Sequence, residues 1–253
     1  MKALGVIPAR IGATRFPAKP LALIHGTPMV VHAWRRAAAC DALARVVVAT
    51  DDEKIAAVVR AAGGEAVLTR GDHASGTDRV AEVAARAGFL EYGAIVNVQG
   101  DEPAIDPRAI AAAVLPVTSG GARIATIAYE EPDEAAFASP DAVKVVLDAQ
   151  GDALYFTRAP IEGARTGGAF LRHIGLYVYE RATLMEFAAL APSPLERLER
   201  LEQLRALWHG IKIRVVRTPY ASRGVDTPQD LAALERDWDQ LTGGLGPAKE
   251  QRR

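Results

Sequence analysis

Three cations fall within ten residues near the start of the chain: Arg10, Arg15 and Lys19, in the run Pro8-Ala9-Arg10 to Pro17-Ala18-Lys19-Pro20. They follow a continuous apolar stretch, Ala3–Pro8, which reads as a strand buried on both faces. The loop therefore leaves the C-terminal end of a strand, the edge at which open α/β sheets bind ligands. Like charges this close repel one another unless an anion neutralises them, and a triphosphate does so through charge-assisted hydrogen bonds. A solvated basic loop is the plain alternative, and spacing alone leaves the two open. No Walker A pattern is present, and Gly5 and Gly12 do not make the glycine fingerprint of a dinucleotide site, so neither of those phosphate cradles applies.

Two carboxylates extend this chemistry. Asp101 lies in Val98-Gln99-Gly100-Asp101-Glu102-Pro103, just past a buried strand, and Asp226 in Gly224-Val225-Asp226-Thr227-Pro228, between a strand and a helix. Mg²⁺ prefers one or two carboxylates plus substrate phosphates to a full protein cage, which suits such a pair. Turn formation and helix capping explain an isolated Asp equally well. A third stretch, Arg70 to Arg79, places Gly, Ser, Thr and Asp ahead of a helix whose free N–H groups favour an acceptor or anion. Thr77 reads as the cap of that helix, a role that leaves Arg70 and Asp72 unexplained. In the second half, Arg158 can hold a carboxylate in a bidentate fork, and His173, Tyr177, Glu202 and Gln203 are individually weak signals.

The elements that position these residues alternate. Strands are expected over 3–8, 45–50, 65–68 and 94–99, and helices over 28–40, 53–62 and 78–87. The pattern predicts an α/β layered domain with a mainly parallel sheet. Further strands are expected over 124–129, 143–147, 153–157, 171–179 and 211–217. In the fourth of these, Leu171, His173, Gly175, Tyr177 and Tyr179 share one face by alternation. Leucines at helical spacing predict one helix over Leu195–Trp208. Thr227, Pro228 and Asp230 mark the start of a closing helix, and residues 244–253 read as a mobile tail.

Composition narrows the classes. A net charge of −1 argues against a general grip on nucleic acid, though not against a local basic pocket. The one cysteine, Cys40, cannot form a disulfide within the chain and reads as a small buried hydrophobe. No run approaches the roughly 20 apolar residues of a membrane span, and the N-terminal apolar run is too short for a signal peptide. These features predict a cytoplasmic protein that binds neither membrane nor nucleic acid.

Taken together, the blocks IPARIGATRFPAKPL, VVVATDDEKIA, TRGDHASGTDRVAEV, IVNVQGDEPAI, AVKVVLDAQGDALYFTRAPI, FLRHIGLYVY, SPLERLERLEQLRALWHG and GVDTPQDL resemble the 3-deoxy-manno-octulosonate (Kdo) cytidylyltransferases. The likeness is colinear from Ile7 to Asp230. It implies a nucleotide-diphospho-sugar transferase type of α/β fold, a single cytidylyltransferase domain over 1–243. A smaller sugar-binding and dimerisation lobe would be formed mainly by 158–208. It implies transfer of CMP from CTP to the anomeric hydroxyl of Kdo, giving CMP-Kdo for lipopolysaccharide biosynthesis, with Mg²⁺ as cofactor and a homodimer as assembly. In that reading Arg10, Arg15 and Lys19 hold the CTP phosphates, and Pro8, Ala9, Arg10, Arg70, Asp72 and Ser75 frame the nucleotide. Asp101 and Asp226 bind the metal, and with Arg10 and Lys19 form the catalytic set. Gln99, Arg158, His173, Tyr177, Glu202 and Gln203 contact the sugar.

The chain departs from the family pattern at Ala13, where Ser is usual, at Ile11, where an aromatic is usual, and over Pro160–Phe170, which is short. The short segment lies near the expected sugar site and bears on the choice between Kdo and its 8-amino analogue. A sialic acid enzyme, a sugar-1-phosphate nucleotidyltransferase and an idle nucleotide sensor are the rival readings. Two carboxylates suited to a metal argue against the sensor.

Overall fold

The computed structural model describes residues 1–12 and 16–243. Arg15, Ala13 and the expected tail over 244–253 lie outside the described residues. The strands are β1 (Ala3–Ala9), β2 (Leu23–Ile24), β3 (Thr27–Pro28), β4 (Arg45–Thr50), β5 (Glu65–Leu68), β6 (Ala94–Asn97), β7 (Ile124–Glu131), β8 (Lys144–Leu147), β9 (Ala153–Thr157), β10 (Arg165–Thr166), β11 (Ala169–Glu180) and β12 (Arg214–Arg217). The helices are α1 (Met29–Ala38), α2 (Glu53–Ala61), α3 (Gly76–Ala85), α4 (Pro107–Thr118), α5 (Glu134–Ala138), α6 (Arg181–Ala189), α7 (Pro194–Glu199), α8 (Leu204–Trp208), α9 (Pro228–Arg236) and α10 (Trp238–Thr242).

The main sheet runs β12-β7-β11-β6-β1-β4-β5, and β11 alone is antiparallel to its neighbours. The mixed, mostly parallel sheet with helices on its faces is the expected class. Apolar residues from both faces of β1 account for two cores. Leu4 and Val6 pack with Val80, Val83 and Phe187 on one side, while Ala3 and Ile7 pack with Val30, Ile55 and Ile110 on the other. Strand β11 divides its residues the same way: Leu171, Tyr177 and Tyr179 enter the first core, and Ile174, Leu176 and Val178 the second. A register shift between Ile174 and Tyr177 against β7 marks a bulge at Gly175 and Leu176. Cys40, just past the end of α1, is buried, as expected of a free cysteine.

Chain order explains where the site forms. From β1 the chain moves outward to β4 and β5, then returns to place β6 on the other flank of β1. The crevice between β1 and β6 is thus a topological switch point, and their C-terminal loops open into it. Gly100 makes the close approach possible: a Cβ there would sit 2.9 Å from the Pro8 carbonyl oxygen.

Three local expectations are corrected. The helix after the Arg70 stretch begins earlier, capped by Ser75 rather than Thr77, with a capping box between Ser75 and Asp78. The segment expected as one helix over Leu195–Trp208 is two, α7 and α8, because Arg200 turns into the left-handed region at φ 55°. That break lets Leu201 and Leu204 reach the core while Leu198 stays exposed. Strand β12 begins at Arg214, later than the expected start at Ile211.

Candidate active site

A cleft of about 330 Å³ opens at the C-terminal ends of β1 and β6. Its walls include Pro8, Ala9, Arg10, Lys19, Ser75, Gln99, Asp101 and Asp226, so eight of the residues singled out from the sequence converge on one place. Pro8–Arg10 leave β1, and Gln99 and Asp101 follow β6. Ser75 caps α3, and Asp226 precedes the Thr227 cap of α9.

Lys19 is the centre of the arrangement. Ala18, left-handed at φ 54°, turns the chain so that Lys19 opens a short 3-10 turn. Its Nζ donates to Asp101 Oδ2 at 2.8 Å, to Asp226 Oδ1 at 3.2 Å and to the Val225 carbonyl at 2.9 Å. The Lys19 side chain is 15% exposed, Asp101 33% and Asp226 50%, so the ammonium is the covered member and the carboxylates face the cleft. Burial works against the Lys19 charge, but Asp101 and then Asp226 outweigh it and hold its pKa above the ordinary lysine value. Two carboxylates converging on one positive charge fit a divalent cation that takes its remaining ligands from substrate phosphates. Among the described residues no group of three or more His, Cys, Asp or Glu is placed to hold a metal ion.

Beside Asp101 stands a carboxyl given no role above. Burial pushes Glu102 up to about 7, against a hydrogen bond donated by the Ser222 hydroxyl and with the added effect of the Asp101 and Asp226 charges. Its neighbour Gly224 approaches closely, since a Cβ there would lie 3.3 Å from Glu102 Oε1.

The residues expected at the sugar divide. Gln99 lines the cleft, and its Nε2 donates to Asn97 Oδ1 at 3.3 Å. Asn97 Nδ2 reaches Thr77 Oγ1 at 3.4 Å, and the Thr77 hydroxyl donates to Glu202 Oε2. A polar chain thus leads from the cleft wall to Glu202. At its end Glu202 Oε1 and the Tyr177 hydroxyl are buried without hydrogen-bond partners among the described residues. Burial raises the Glu202 carboxyl and places the Tyr177 phenol well above its usual range. His173 packs its ring 5.0 Å from Phe156 and 5.4 Å from Tyr177, with Nε2 2.9 Å from Thr126 Oγ1. Burial pushes His173 down to about 3, so its ring is neutral near pH 7. Gln203 is buried at the start of α8.

Arg158 is not in the cleft wall. Its Nε donates to the Glu199 carbonyl at 3.1 Å and its Nη1 to the Pro140 carbonyl at 2.9 Å. Arg70 and Asp72 also stand apart, facing an open groove beside α3 with Arg70 Nε 3.6 Å from Asp72 Oδ1. Phe16, Met29, His73 and Arg79 line the cleft without having been singled out for it. Arg79 is the most informative of these. Its Nη2 holds Asp51 Oδ2 at 3.1 Å and its Nη1 the Arg70 carbonyl at 3.1 Å, which ties the Arg70 loop to the end of β4.

Comparison with known proteins finds relatives along nearly the whole chain. A family model described as cytidylyltransferase matches residues 4–213. The chain is 48% identical to the 3-deoxy-manno-octulosonate cytidylyltransferase of Syntrophobacter fumaroxidans, over 92% of this chain and 96% of that protein. It is 50% identical to the enzyme of the same name from Syntrophotalea carbinolica, over 93% and 98%. A solved structure of CMP:2-keto-3-deoxy-manno-octonic acid synthetase complexed with CTP superposes with a TM-score of 0.86 at 40% identity, covering 95% of this chain and 99% of that one. Likeness of this extent, spanning both the cleft and the polar chain behind it, shows that the protein belongs to the 3-deoxy-manno-octulosonate cytidylyltransferase family.

Proposed function

We propose that the protein transfers CMP from CTP to the anomeric hydroxyl of Kdo and releases pyrophosphate. The observation that carries this reading is identity of about one half to Kdo cytidylyltransferases over more than nine tenths of the chain. The sugar oxygen forms a bond to the α-phosphorus as the bond from that phosphorus to the bridging oxygen of pyrophosphate breaks. The hydroxyl proton leaves to solvent. Such transfers depend on positioning and charge neutralisation more than on covalent help from the protein.

In this reading the residues take roles suited to their chemistry. Arg10 and Lys19 hold the triphosphate and offset charge on the leaving pyrophosphate, Lys19 giving up carboxylate contacts to do so, and Arg15, outside the described residues, is assigned to the same task by its place in the sequence. Ser75 and the first N–H groups of α3 face the nucleotide with donors and a favourable dipole. Asp101 and Asp226 hold Mg²⁺. Held there, Mg²⁺ would supply Lewis-acid charge neutralisation to the transfer. Gln99 meets the sugar at the cleft wall, and Tyr177 offers it a buried hydroxyl without a hydrogen-bond partner among the described residues, beside Glu202, whose Oε1 lies 3.7 Å from Arg205 Nη2. Unpaired groups of that kind favour a polyhydroxylated ligand, since each unmet hydrogen bond costs about 1–3 kcal/mol. Arg158 and Gln203 are assigned to the sugar side by the resemblance, and His173 supports Tyr177 through ring contact.

The chain works as one domain over 1–243, with the region 158–208 forming the sugar-binding and dimerisation lobe, as a cytoplasmic homodimer. Among the described residues no helix is long and apolar enough to cross a membrane.

The test is pyrophosphate release from CTP, Mg²⁺ and Kdo, in parallel with the 8-amino analogue, N-acetylneuraminate and glucose 1-phosphate, each also with UTP. Release with CTP and Kdo, abolished by EDTA, is the expected result. Release only with another sugar would overturn the sugar assignment and keep the nucleotide site. Absence of release with every sugar, while CTP still binds, would overturn the reaction itself.

A further inference from the structure

The two acidic groups of the cleft come from segments 125 positions apart in the chain, and neither sits within a strand or helix. Asp101 follows β6, and Asp226 ends the loop that leads from β12 to α9. Something must hold the two loops in register before any cation or nucleotide arrives. Lys19 spans them, and the Val225 N–H donates to the Asp101 carbonyl at 2.9 Å. A third tie is the hydrogen bond from Ser222, which is buried, to Glu102 Oε2.

Glu102 is placed for this role and for no other visible one. It does not line the cleft, although both its acidic neighbours do. Among the described residues it makes no salt bridge. The nearby Arg172 pairs instead with Glu131, at 3.4 Å. Its second oxygen lies beneath Gly224, where any side chain would crowd it. Its own N–H donates to the Gln99 carbonyl at 3.2 Å, which fixes it to the turn that presents Asp101.

We infer that Glu102 is a positioning residue: by accepting from Ser222 it pins the loop 218–226 against the turn after β6, and so sets the separation of Asp101 and Asp226. It acts as an acceptor of one hydrogen bond, not as a third metal ligand. The inference rests on the reading of Asp101 and Asp226 as the functional pair, but its structural half can be tested without that reading.

The variants are Ser222→Ala, Glu102→Ala and Glu102→Gln. The first readout is amide hydrogen exchange of the peptide covering 218–226 in protein free of nucleotide and metal. The second is the Mg²⁺ concentration that gives half-maximal pyrophosphate release. Ser222→Ala and Glu102→Ala should speed exchange in that peptide about tenfold or more, as loss of one buried hydrogen bond implies, with β1 unaffected. Both should raise the half-saturating Mg²⁺ by a similar factor and leave the sugar KM unchanged. Glu102→Gln keeps an acceptor oxygen and should stay within about threefold of the parent in both readouts, a fraction of the effect of losing the bond. Unchanged exchange in Ser222→Ala and Glu102→Ala would overturn the inference. So would a Glu102→Gln protein as impaired as Glu102→Ala, since that result requires the charge itself. Should Glu102→Ala fail to fold, Ser222→Ala decides the exchange arm alone. Absence of pyrophosphate release from the parent would overturn the proposed function and leave the exchange result standing.

Discussion

Replacing Lys19 with Met should make the protein depend on Mg²⁺ for its stability. In the parent, one ammonium that is 15% exposed neutralises two carboxylates and also binds the Val225 carbonyl. Hydrogen bonds to charged groups contribute about 1.5–3 kcal/mol each when covered. The bond to Asp226 must be discounted towards zero, because that side chain is half exposed and screened by solvent. The contact with Asp101 and the facing of two carboxylates left without their shared cation then set the loss at about 3 kcal/mol. For a chain of this size that is roughly 6–12 °C in Tm. The assay is thermal unfolding of parent and variant in EDTA and in millimolar Mg²⁺. The variant should melt lower in EDTA and recover much of the difference with Mg²⁺, which enters between the carboxylates, whereas the parent gains little. Its kcat/KM for CTP should fall about 10²–10³-fold, as for loss of one positioned charge donor. A variant that melts with the parent in EDTA, or shows the same Mg²⁺ shift, would refute the view that Lys19 balances this pair.

Other predictions follow from single contacts. Gly100→Ala should lose about 1–3 kcal/mol of stability by overpacking, because the new methyl meets the Pro8 carbonyl at 2.9 Å, and denaturant unfolding would measure it. Arg158→Ala should raise the sugar KM by a factor equivalent to about 1–3 kcal/mol while the KM for CTP holds. An unchanged sugar KM would remove Arg158 from the sugar site. His173 binds a proton more weakly folded than unfolded, with a pKa of about 3 against the ordinary 6.5. Its contribution to stability is therefore whole above pH 6.5 and is lost as pH falls towards 3, by at most about 1.4 kcal/mol per pH unit. A His173→Gln variant should lose that share of the acid dependence in urea melts taken between pH 7 and 4.

Much of the fold was legible because its central strands are continuous apolar runs. Ala3–Ala9 and Arg45–Thr50 admit few other readings when glycine or turn residues bound them. Local competition hid the rest. Ser75 and Thr77 are both good caps, and the pairing of Ser75 with Asp78 three residues on decides for Ser75. Leucine spacing over 195–208 is helical, yet the chain breaks at Arg200 because Glu199 is held by the Arg158 N–H and the Thr157 hydroxyl while Glu202 turns to Thr77. Helix α4 starts on a readable signal, Asp106 and Pro107, but Pro116 within it masks the period. At the site, residue types and loop positions brought out Arg10, Lys19, Asp101 and Asp226. That Lys19 bridges the two carboxylates, and that half-buried Glu102 lies beneath Gly224, depends on long-range packing that no local pattern encodes.

Strand β11 carries a consequence beyond the cleft. On one edge its first residues pair with β10 and β8 and its later ones with β6, while β7 pairs along the other edge from Phe170 to Tyr179. One unbroken strand therefore belongs to both the sheet and the β8–β9–β10 extension. The extension cannot be exchanged for another as a cassette, because no cut point separates it from the sheet that would lose β11. Divergence in what this scaffold accepts must come through point changes along shared strands and through loop length over Pro160–Phe170.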